Sequence, residues 1–385
     1  MYCDRVSPLR PIPLNVGGPL APEHVIGRTA EVADVFRSLA SVGVVITGER
    51  RMGKTSLARV IARDAEIRGW TVVWQSAEGF TSIAEFCEAL IPRMTEVGGR
   101  LGTAVRAVVR ALKIELGPLR IDPRMADRLL DDVVSAAVGA AGQRLLLVID
   151  ELPLFVRELD RRHPGDGAAA LHLLRRLRER HGDRLRMLCL GSVGFHHVAR
   201  GALGALNDLE RHRLGPLAPQ DASYLARGIM LATSVSAPNE SELADAIGAA
   251  AEGVPFYVHR LVAQIVRRAP TTCTVATVGE IVEEALRPPD DPWELRHYRD
   301  RVRPYYGEDA PVAAAVLDAL APTREAVARR EVESRVATSA AAPVDHDRFR
   351  DVVERLVDDH YLVYDGDALR FAFDLVRRAW GARGR

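Results

Sequence analysis

The sequence predicts an α/β fold built on a parallel β-sheet whose faces are both covered by helices, followed by a helical region and a final unit of helices and one hairpin. Along the first 215 residues, short β-branched or apolar runs alternate with segments whose apolar residues recur at helical spacing. Such alternation is typical of parallel sheets. After Pro219 the β pattern stops and consecutive helical segments begin.

Length and composition narrow the possible classes of protein. A chain of 385 residues has room for about two or three cores. The formal net charge is zero, so no global field attracts nucleic acid or an anionic membrane. Four scattered cysteines form no C-x-x-C pair, and the first residues contain no apolar signal-peptide core. We therefore expect a cytoplasmic protein without membrane segments.

The first predicted elements alternate between strand and helix. Predicted strands lie within residues 42–48, 70–77, 144–155, 184–194 and 211–217, the third ending in two carboxylates, and predicted helices cover residues 54–69, 82–94 and 170–180. Residues 101–123 begin as a helical pattern and change to alternation around Gly117-Pro118, which predicts a small hairpin of unknown role. The run "RLLLVID" is of the buried-strand type, which indicates a sheet covered on both faces.

The second half of the chain predicts two further units. Helical patterns cover residues 220–232, 240–253, 255–269 and 278–288, and a polar, proline-bearing break follows at 287–298. Beyond the break come helices at 310–321, 324–336 and 347–359 and a hairpin at 361–373 that turns at Asp365-Gly366-Asp367. Three helices and a hairpin predict a winged helix. The expected domains are an extended arm (1–22), a sheet domain (23–215), a helical domain (216–290) and a winged-helix domain (291–385).

The segment "GERRMGKTS" (48–56) carries the clearest chemical signal. It matches G-x-x-x-x-G-K-[ST], and it follows a predicted strand and opens a predicted helix, which is the context that this phosphate-binding loop requires. Glycines let backbone N–H groups approach phosphates at a helix N-terminus. Only Lys54 and Lys113 are lysines, and a slim ammonium fits between phosphates where a guanidinium would not. The residues assigned to nucleotide binding are Gly48, Glu49, Arg50, Arg51, Met52, Gly53, Lys54, Thr55 and Ser56, with the side chains of Arg50 and Arg51 expected to point to solvent.

Two carboxylates follow the buried strand that ends in "LLLVID". A carboxylate at the C-terminal end of a parallel strand lies beside the nucleotide crevice, so Asp150 is expected to orient a Mg²⁺ ion that Thr55 also ligates. Glu151 is placed to accept a proton from an attacking water. The alternative is that both acids are simply solvated at a strand end. With the phosphate-binding loop upstream, the pair favours catalysis, with Glu151 and Lys54 as catalytic residues.

Several segments, in this order, resemble AAA+-related ATPases. They are "HVIGRTAEVADVF" (24–36), "GERRMGKTSL" (48–57), "LLLVIDELP" (145–153), "LGSVG" (190–194), "RLGPLAPQDASYLA" (213–226) and "EGVPFYVHRL" (252–261). More narrowly, the chain is similar to prokaryotic and archaeal-type ATPases near the STAND class, the signal-transduction ATPases with numerous domains, and to origin-recognition-like ATPases. The resemblance extends from about residue 24 to residue 385 and implies a P-loop NTPase fold of AAA+ type.

The resemblance also implies roles for individual residues. Ile26, Gly27 and Arg28 match a box that lies by the adenine, although these residues also suit an ordinary helix start. Ser192 stands where a polar sensor of the γ-phosphate is expected. Gly253-Val254-Pro255 matches the G-x-P signature of the lid, in which Pro255 contacts the nucleotide.

The chain also departs from that family pattern. Phe256 stands where many AAA+ proteins have a sensor arginine, and Arg260 is a weak substitute. Arg200, Arg211 and Arg213 are candidate arginine fingers, none of them unambiguous. These departures put assembly-driven turnover in doubt.

The function predicted from the sequence is ATP binding with slow, Mg²⁺-dependent hydrolysis that switches the helical lid and the winged helix between arrangements. A protein partner or self-association is expected. One alternative is a DNA-bound regulator or loader that ATP licenses through the winged helix. Residues 344–360 carry six acidic side chains and three arginines, so DNA binding is possible but not favoured. A second alternative is a nucleotide-bound protein scaffold without turnover.

Overall fold

The computed structural model describes residues 8–111, 121–142, 144–191, 203–269, 273–287, 291–339 and 344–382. The chain forms two compact units, within which these residues are described. The sheet unit comprises residues 21–50 and 54–214. The helical unit comprises the N-terminal residues up to 20, residues 51–53 and the chain from residue 215 onward. The boundaries predicted at residues 22 and 290 stay predictions.

The sheet unit confirms the predicted alternation of strands and helices. Its strands are β1 (Gly43–Thr47), β2 (Thr71–Ser76), β3 (Leu145–Asp150), β4 (Leu185–Gly191) and β5 (Leu209–Arg213). Its helices are α1 (Thr29–Leu39), α2 (Lys54–Ile67), α3 (Ile83–Glu96), α4 (Gly99–Ala111), α5 (Ala126–Ala140), α6 (Leu152–Arg162) and α7 (Asp166–His181). The hairpin predicted near Gly117-Pro118 lies outside the described residues.

All five strands form one parallel sheet in the order β2-β3-β4-β1-β5. Every residue of β3 and β4 is buried, as expected for strands covered on both faces. β4 lies between β1 and β3. The end of β3, which carries Asp150, is therefore separated by one strand from the end of β1, where the loop after Thr47 begins. The α/β parallel-sheet fold class predicted from the sequence is therefore confirmed.

One predicted strand boundary in the sheet unit is wrong, and one helix was not predicted. The apolar run 144–155 contains a strand that ends at Asp150, at the two carboxylates as predicted, and the residues after Glu151 form α6, which the sequence did not predict. The apolar run continues through this boundary, but Glu151 has a left-handed backbone (φ 56°) that ends the strand, and Pro153 lies in the first helical turn, where its missing N–H costs little. The strand expected over 211–217 is Leu209–Arg213.

A hydrophobic core of the sheet unit lies between the sheet and α3, α5, α6 and α7. Leu147 and Ile149 of β3 face buried residues of these helices, including Val133 and Leu174. The rings of Phe86 and Phe155 stack with centroids 5.2 Å apart. This packing fixes β3, and with it the position of Asp150.

The helical unit begins with four helices: α8 (Pro219–Thr233), α9 (Glu240–Ala250), α10 (Pro255–Arg268) and α11 (Val275–Ala285). The N-terminal segment lies against α8, where the N–H of Ile12 donates to the carbonyl of Gly228 at 2.9 Å. Ile12 is fully buried, and a side chain at Gly228 would overlap it. Among the described helices, none is long and apolar enough to cross a membrane.

The rest of the helical unit contains helices and a small antiparallel sheet. Its helices are α12 (His297–Asp300), α13 (Val302–Tyr306), α14 (Ala310–Leu320), α15 (Arg329–Ser339), α16 (His346–Asp358) and α17 (Asp374–Gly381), and its strands are β6 (Val327–Ala328), β7 (Leu362–Asp365) and β8 (Ala368–Phe371). The strand order is β6-β8-β7. The hairpin of β7 and β8 turns at Gly366 (φ 60°), as predicted. The winged-helix assignment of this region stays a prediction.

The helix predicted over 324–336 is wrong in its first turn. Val327 and Ala328 form β6, which pairs with Leu369 and Ala368 of β8, and the helix begins at Arg329. The side chain of Val327 is buried, so the apolar position that looked like the start of a helical stripe belongs to a strand.

Candidate functional site

The loop between β1 and α2 has the strand–loop–helix context that the sequence predicted. A Cβ added to Gly48 would lie 2.5 Å from the carbonyl oxygen of Leu214. That backbone is held in place because the N–H of Leu214 donates to the carbonyl of Thr47 at 2.7 Å. Gly53 has a φ of 86°, a conformation that favours glycine. Both glycines of the motif are therefore required by the local backbone.

Lys54 places a buried positive charge on this loop. Its side chain is 6% exposed, and its Nζ donates hydrogen bonds to the carbonyls of Gly48 at 2.9 Å and Glu49 at 3.0 Å. A lysine at this depth has lost most of its hydration, so its ammonium must be satisfied by protein oxygens or by an anionic ligand. The position and reach of this ammonium fit a phosphate group.

Thr55 and Asp150 meet beside the loop. The hydroxyl of Thr55 donates to Oδ2 of Asp150 at 3.0 Å. Asp150 is 8% exposed; burial raises the pKa of its carboxyl, and the hydrogen bond from Thr55 partly opposes that rise. A hydroxyl and a carboxylate are the oxygen donors that Mg²⁺ takes alongside water and phosphate. No group of three or more His, Cys, Asp or Glu side chains that could hold a metal ion occurs in the part of the chain that the structure describes, and such a cluster is not required for a Mg²⁺ site of this kind.

Glu151 directly follows β3 and caps α6. Its backbone is left-handed, with φ 56° and ψ 39°, and its side chain is only partly buried. Such a backbone costs a non-glycine residue on the order of 1–3 kcal/mol, and strained residues of this kind cluster at active sites. Asp150 is buried, whereas the next residue, Glu151, is only partly buried.

The residues predicted beside the adenine closely follow a short segment that contacts α2. Glu23, just upstream, pairs with Arg63 of α2 at 3.0 Å. Ile26 is 5% exposed and Gly27 has a φ of 67°. Arg28 is buried and donates to Glu31 at 2.8 Å. Contact of these three residues with a nucleotide stays a prediction.

Other predicted site residues lie elsewhere. Arg50 is exposed, as expected, whereas the prediction that Arg51 points to solvent is wrong: its side chain is 22% exposed and pairs with Glu294. Ser192 follows the last residue of β4 but lies outside the described residues. Pro255 occupies the first turn of α10 in the helical unit.

The G-x-P segment of the helical unit has a backbone that only glycine suits. Gly253 has a φ of 70°, and a Cβ there would lie 2.5 Å from the carbonyl oxygen of Leu217. The N–H of Leu217 donates to the carbonyl of Gly253 at 2.8 Å. The segment therefore fixes the start of α10 against the residues that precede α8.

Two polar residues near these sites were missed from the sequence. Glu294 lies in the proline-bearing break, where its composition suggested only a linker. Gln75 lies on β2 opposite Ile149, is 6% exposed, and donates to the carbonyl of Ser76 at 2.6 Å. The available signal for Gln75 was that it directly follows the apolar run Val72-Val73-Trp74.

The fold and the loop together define the class: the chain has the fold of a solved Walker-type ATPase. A Walker-type ATPase of Pyrococcus abyssi is similar over 95% of this chain and 99% of its own, with a TM-score of 0.66 and 14% identity. At that identity the likeness is one of fold.

The ORC2 protein of Aeropyrum pernix has a TM-score of 0.48 and 13% identity over 96% of both chains. A variant of RuvB from Thermotoga maritima has a TM-score of 0.43 and 12% identity over 92% of this chain and 95% of its own. No family profile and no curated protein sequence matches the chain.

Proposed function

We propose that this protein binds ATP with Mg²⁺ and hydrolyses it slowly, as a nucleotide-controlled conformational switch. The observation that carries the proposal is the buried ammonium of Lys54 on a glycine-bounded loop, with the Thr55–Asp150 pair beside it. A buried cation, the backbone N–H groups of a helix N-terminus and a divalent-cation ligand pair are together the elements that a nucleoside triphosphate requires.

Each part of the site has its own task in binding. The loop backbone from Gly48 to Gly53 cradles the phosphates, and Lys54 supplies the charge between the β- and γ-phosphates. Thr55 and Asp150 would hold Mg²⁺, which supplies charge neutralisation for the phosphate oxygens when bound. Ile26, Gly27 and Arg28 are proposed for the adenine, and Ser192 and Pro255 for sensing the γ-phosphate and closing the lid.

Glu151 is the proposed general base. Its carboxylate accepts a proton from a water whose oxygen bonds to the γ-phosphorus, while the bond from that phosphorus to the β–γ bridging oxygen breaks. The products are ADP and inorganic phosphate. Slow turnover is supported by Phe256 at the position of a sensor arginine and by Arg260, whose guanidinium lies 3.6 Å from Glu294.

A contact within the helical unit supports the role as a switch. Glu252, directly before the G-x-P segment, accepts hydrogen bonds from the N–H groups of Asp374 at 2.7 Å and Leu375 at 2.8 Å. Burial raises the pKa of this carboxyl. The lid segment is thus attached to the first turn of the last helix, α17. A shift of Gly253-Val254-Pro255 on nucleotide binding would therefore move that helix.

The DNA-binding alternative has less support from the side chains of α16. Arg348 and Arg355 both pair with Asp309, and Arg350 lies 3.6 Å from Asp347. Arginines held by acidic partners are poorly placed to neutralise phosphates. We therefore propose that the region after residue 291 docks within the chain or onto a protein partner, which includes a second copy of this chain. The second alternative is a nucleotide-bound protein scaffold without turnover. It differs from the proposed switch only in that Glu151 does not act as a general base.

Replacing Lys54 tests the proposal. Lys54→Arg retains the charge but replaces the slim ammonium with a planar guanidinium, so ATP affinity measured by calorimetry should be lost. Lys113→Arg makes the same exchange at the only other lysine and should bind ATP as the unaltered chain does. Equal ATP affinity in Lys54→Arg and the unaltered protein would contradict the proposed site.

A further inference from the structure

One cluster in the helical unit places two arginines around an aromatic ring and a single carboxylate. The guanidinium carbon of Arg51 lies 4.0 Å from the ring centroid of Phe256, and that of Arg260 lies 4.9 Å from it. Both arginines pair with Glu294, Arg51 through one carboxylate oxygen and Arg260 through the other, at 3.6 Å. We refer to Arg51, Phe256, Arg260 and Glu294 as the Glu294 cluster.

The charges of the Glu294 cluster are unbalanced. Two guanidiniums share one carboxylate, which leaves a formal charge of about +1 on a site where both arginines are three-quarters or more buried. The Nε atoms of Arg51 and Arg260 are buried without a hydrogen-bond acceptor. A buried N–H without a partner is unfavourable because it has lost its water without gaining an acceptor. An anion with more charge and more oxygens than one carboxylate would satisfy this pair better, and phosphate is the group that the guanidinium fork matches.

The carboxylate is held in place by a fixed turn. Asp291 accepts hydrogen bonds at 2.8 Å from the N–H groups of Leu295 and Arg296. Trp293 is fully buried, and its ring stacks on that of Tyr257 with centroids 5.5 Å apart. Glu294 itself has a positive φ of 56°, which a non-glycine residue adopts only when its surroundings impose it. The turn therefore presents Glu294 to the two arginines at a cost in backbone strain.

Arg51 connects this cluster to the phosphate-binding motif. It is the third of the four variable residues between Gly48 and Gly53 in the sequence, and it too has a positive φ, of 75°. Its guanidinium is nevertheless occupied by a carboxylate 243 positions away in the chain. An arginine within the phosphate-binding loop is thus already paired with an acidic side chain.

We propose that Glu294 is an internal competitor of the nucleotide: its carboxylate occupies the guanidinium of Arg51, and with it that of Arg260, until a polyphosphate displaces it. The inference rests on the proposed ATP site. ATP binding must then overcome the Glu294 pairing, so the pairing lowers nucleotide affinity, and ATP in turn releases the turn of residues 291–296. Such coupling is reciprocal, and coupling of this type commonly changes affinity by about 5- to 150-fold.

The test removes the charge of Glu294 and keeps its shape. In Glu294→Gln, ATP should bind about tenfold more tightly than in the unaltered chain, measured by calorimetry with Mg²⁺ at low salt. In an Arg51→Gln background the same exchange should change the affinity by less than about twofold, because its main partner is gone. Glu294→Asp keeps the charge and should remain within about twofold of the unaltered chain.

A matched control removes a different ion pair from the same unit. Glu284 pairs with Arg268 and is 60% exposed, so Glu284→Gln loses one negative charge without touching Arg51. It should leave ATP affinity unchanged. An increase in ATP affinity in Glu284→Gln equal to that in Glu294→Gln would overturn the inference, since it would show a general effect of removing a negative charge.

The remaining outcomes separate the inference from the proposed function. If Lys54→Arg loses ATP while Glu294→Gln binds it with unchanged or weaker affinity, the ATP site stands and the inference is wrong. If Glu294→Gln fails to fold, Arg51→Gln alone decides: thermal stability lower than that of the unaltered chain with no effect on ATP affinity would also overturn the inference. If the unaltered chain binds no ATP, the proposed function fails and the inference fails with it.

Discussion

The hydroxyl of Thr55 donates a hydrogen bond to a carboxylate oxygen of Asp150 at 3.0 Å, although the two residues lie 95 positions apart in the sequence. The contact joins the first turn of α2 to the end of β3. It puts two oxygen donors of the kind that Mg²⁺ prefers beside the phosphate-binding loop. The sequence predicted both residues as ligands of one ion, and the structure brings them together.

Removing that hydroxyl should make cation binding more sensitive to acid. Burial raises the pKa of Asp150 and the Thr55 hydrogen bond lowers it, so Thr55→Val should raise that pKa further. Mg²⁺ requires the ionised carboxylate, and binding is lost as pH falls through the pKa of the folded state. Mg²⁺ is titrated in the presence of ATP at several pH values. Thr55→Val should lose Mg²⁺ binding at a higher pH than the unaltered chain does. Identical pH midpoints would show that the hydroxyl does not act on Asp150.

Gly48 should tolerate no side chain. A Cβ there would lie 2.5 Å from the carbonyl oxygen of Leu214, and backbone cannot move aside as a flexible side chain can. Gly48→Ala should lower the free energy of unfolding by about 1–3 kcal/mol, measured by urea denaturation. Gly215→Ala is the matched control, because an added Cβ meets nothing within 4 Å. Equal stability of the two variants would contradict the steric argument.

His259 should make the helical unit sensitive to acid. It is 3% exposed, its Nδ1 accepts a hydrogen bond from the N–H of Asn15 at 3.2 Å, and burial lowers its pKa to about 4. The unfolded chain takes up a proton near pH 6.5, whereas the folded chain does so only near 4. Neutral His259 therefore contributes fully to the free energy of unfolding above pH 6.5. That contribution is lost as pH falls toward 4, and the loss is about 3 kcal/mol at most.

The measurement for His259 is the free energy of unfolding at pH 7 and at pH 5. The unaltered chain should lose stability between these two values. His259→Gln retains an acceptor for the N–H of Asn15 but cannot titrate. Its free energy of unfolding should therefore fall less between pH 7 and pH 5 than that of the unaltered chain. The same loss in both proteins would assign the pH dependence to other groups.

Glu252 should hold α17 more strongly than a surface ion pair does. Glu252→Ala leaves two N–H groups of α17 without their carboxylate acceptor, a loss of about 1–3 kcal/mol. Glu283→Ala removes an exposed partner of Arg378 and should cost about 1 kcal/mol or less. Hydrogen exchange at the amides of Asp374 and Leu375 reports the difference. Faster exchange in Glu283→Ala than in Glu252→Ala would contradict the assignment.

Local sequence patterns predicted the sheet and the phosphate-binding loop because both depend on neighbouring residues. Buried parallel strands are continuous apolar runs, and the loop motif has fixed spacing between β1 and α2. The start of α6 was missed because the apolar run continues past Glu151 and only the left-handed backbone of that residue breaks it. The strand β6 was missed because Val327 takes its conformation from pairing with Leu369, which is distant in sequence.

The pairing of Arg51 with Glu294 was beyond the reach of sequence patterns for the same reason. Arg51 was expected to point to solvent because nothing within the loop could hold its side chain. Its partners Phe256 and Glu294 come from α10 and from a proline-bearing break that carried no motif. Contacts that depend on the tertiary fold left no local signal.

Phosphate release by Glu151→Gln is the decisive measurement for the proposal that the chain hydrolyses ATP with Glu151 as the base. The glutamine has the shape of the glutamate but cannot accept the proton, so ATP and Mg²⁺ should bind with unchanged affinity. Steady-state phosphate release should fall by about 10²-fold or more relative to the slow rate of the unaltered protein. Equal rates of phosphate release in the two proteins, with ATP bound equally well, would contradict the assignment of Glu151 and leave nucleotide binding without this mechanism of turnover.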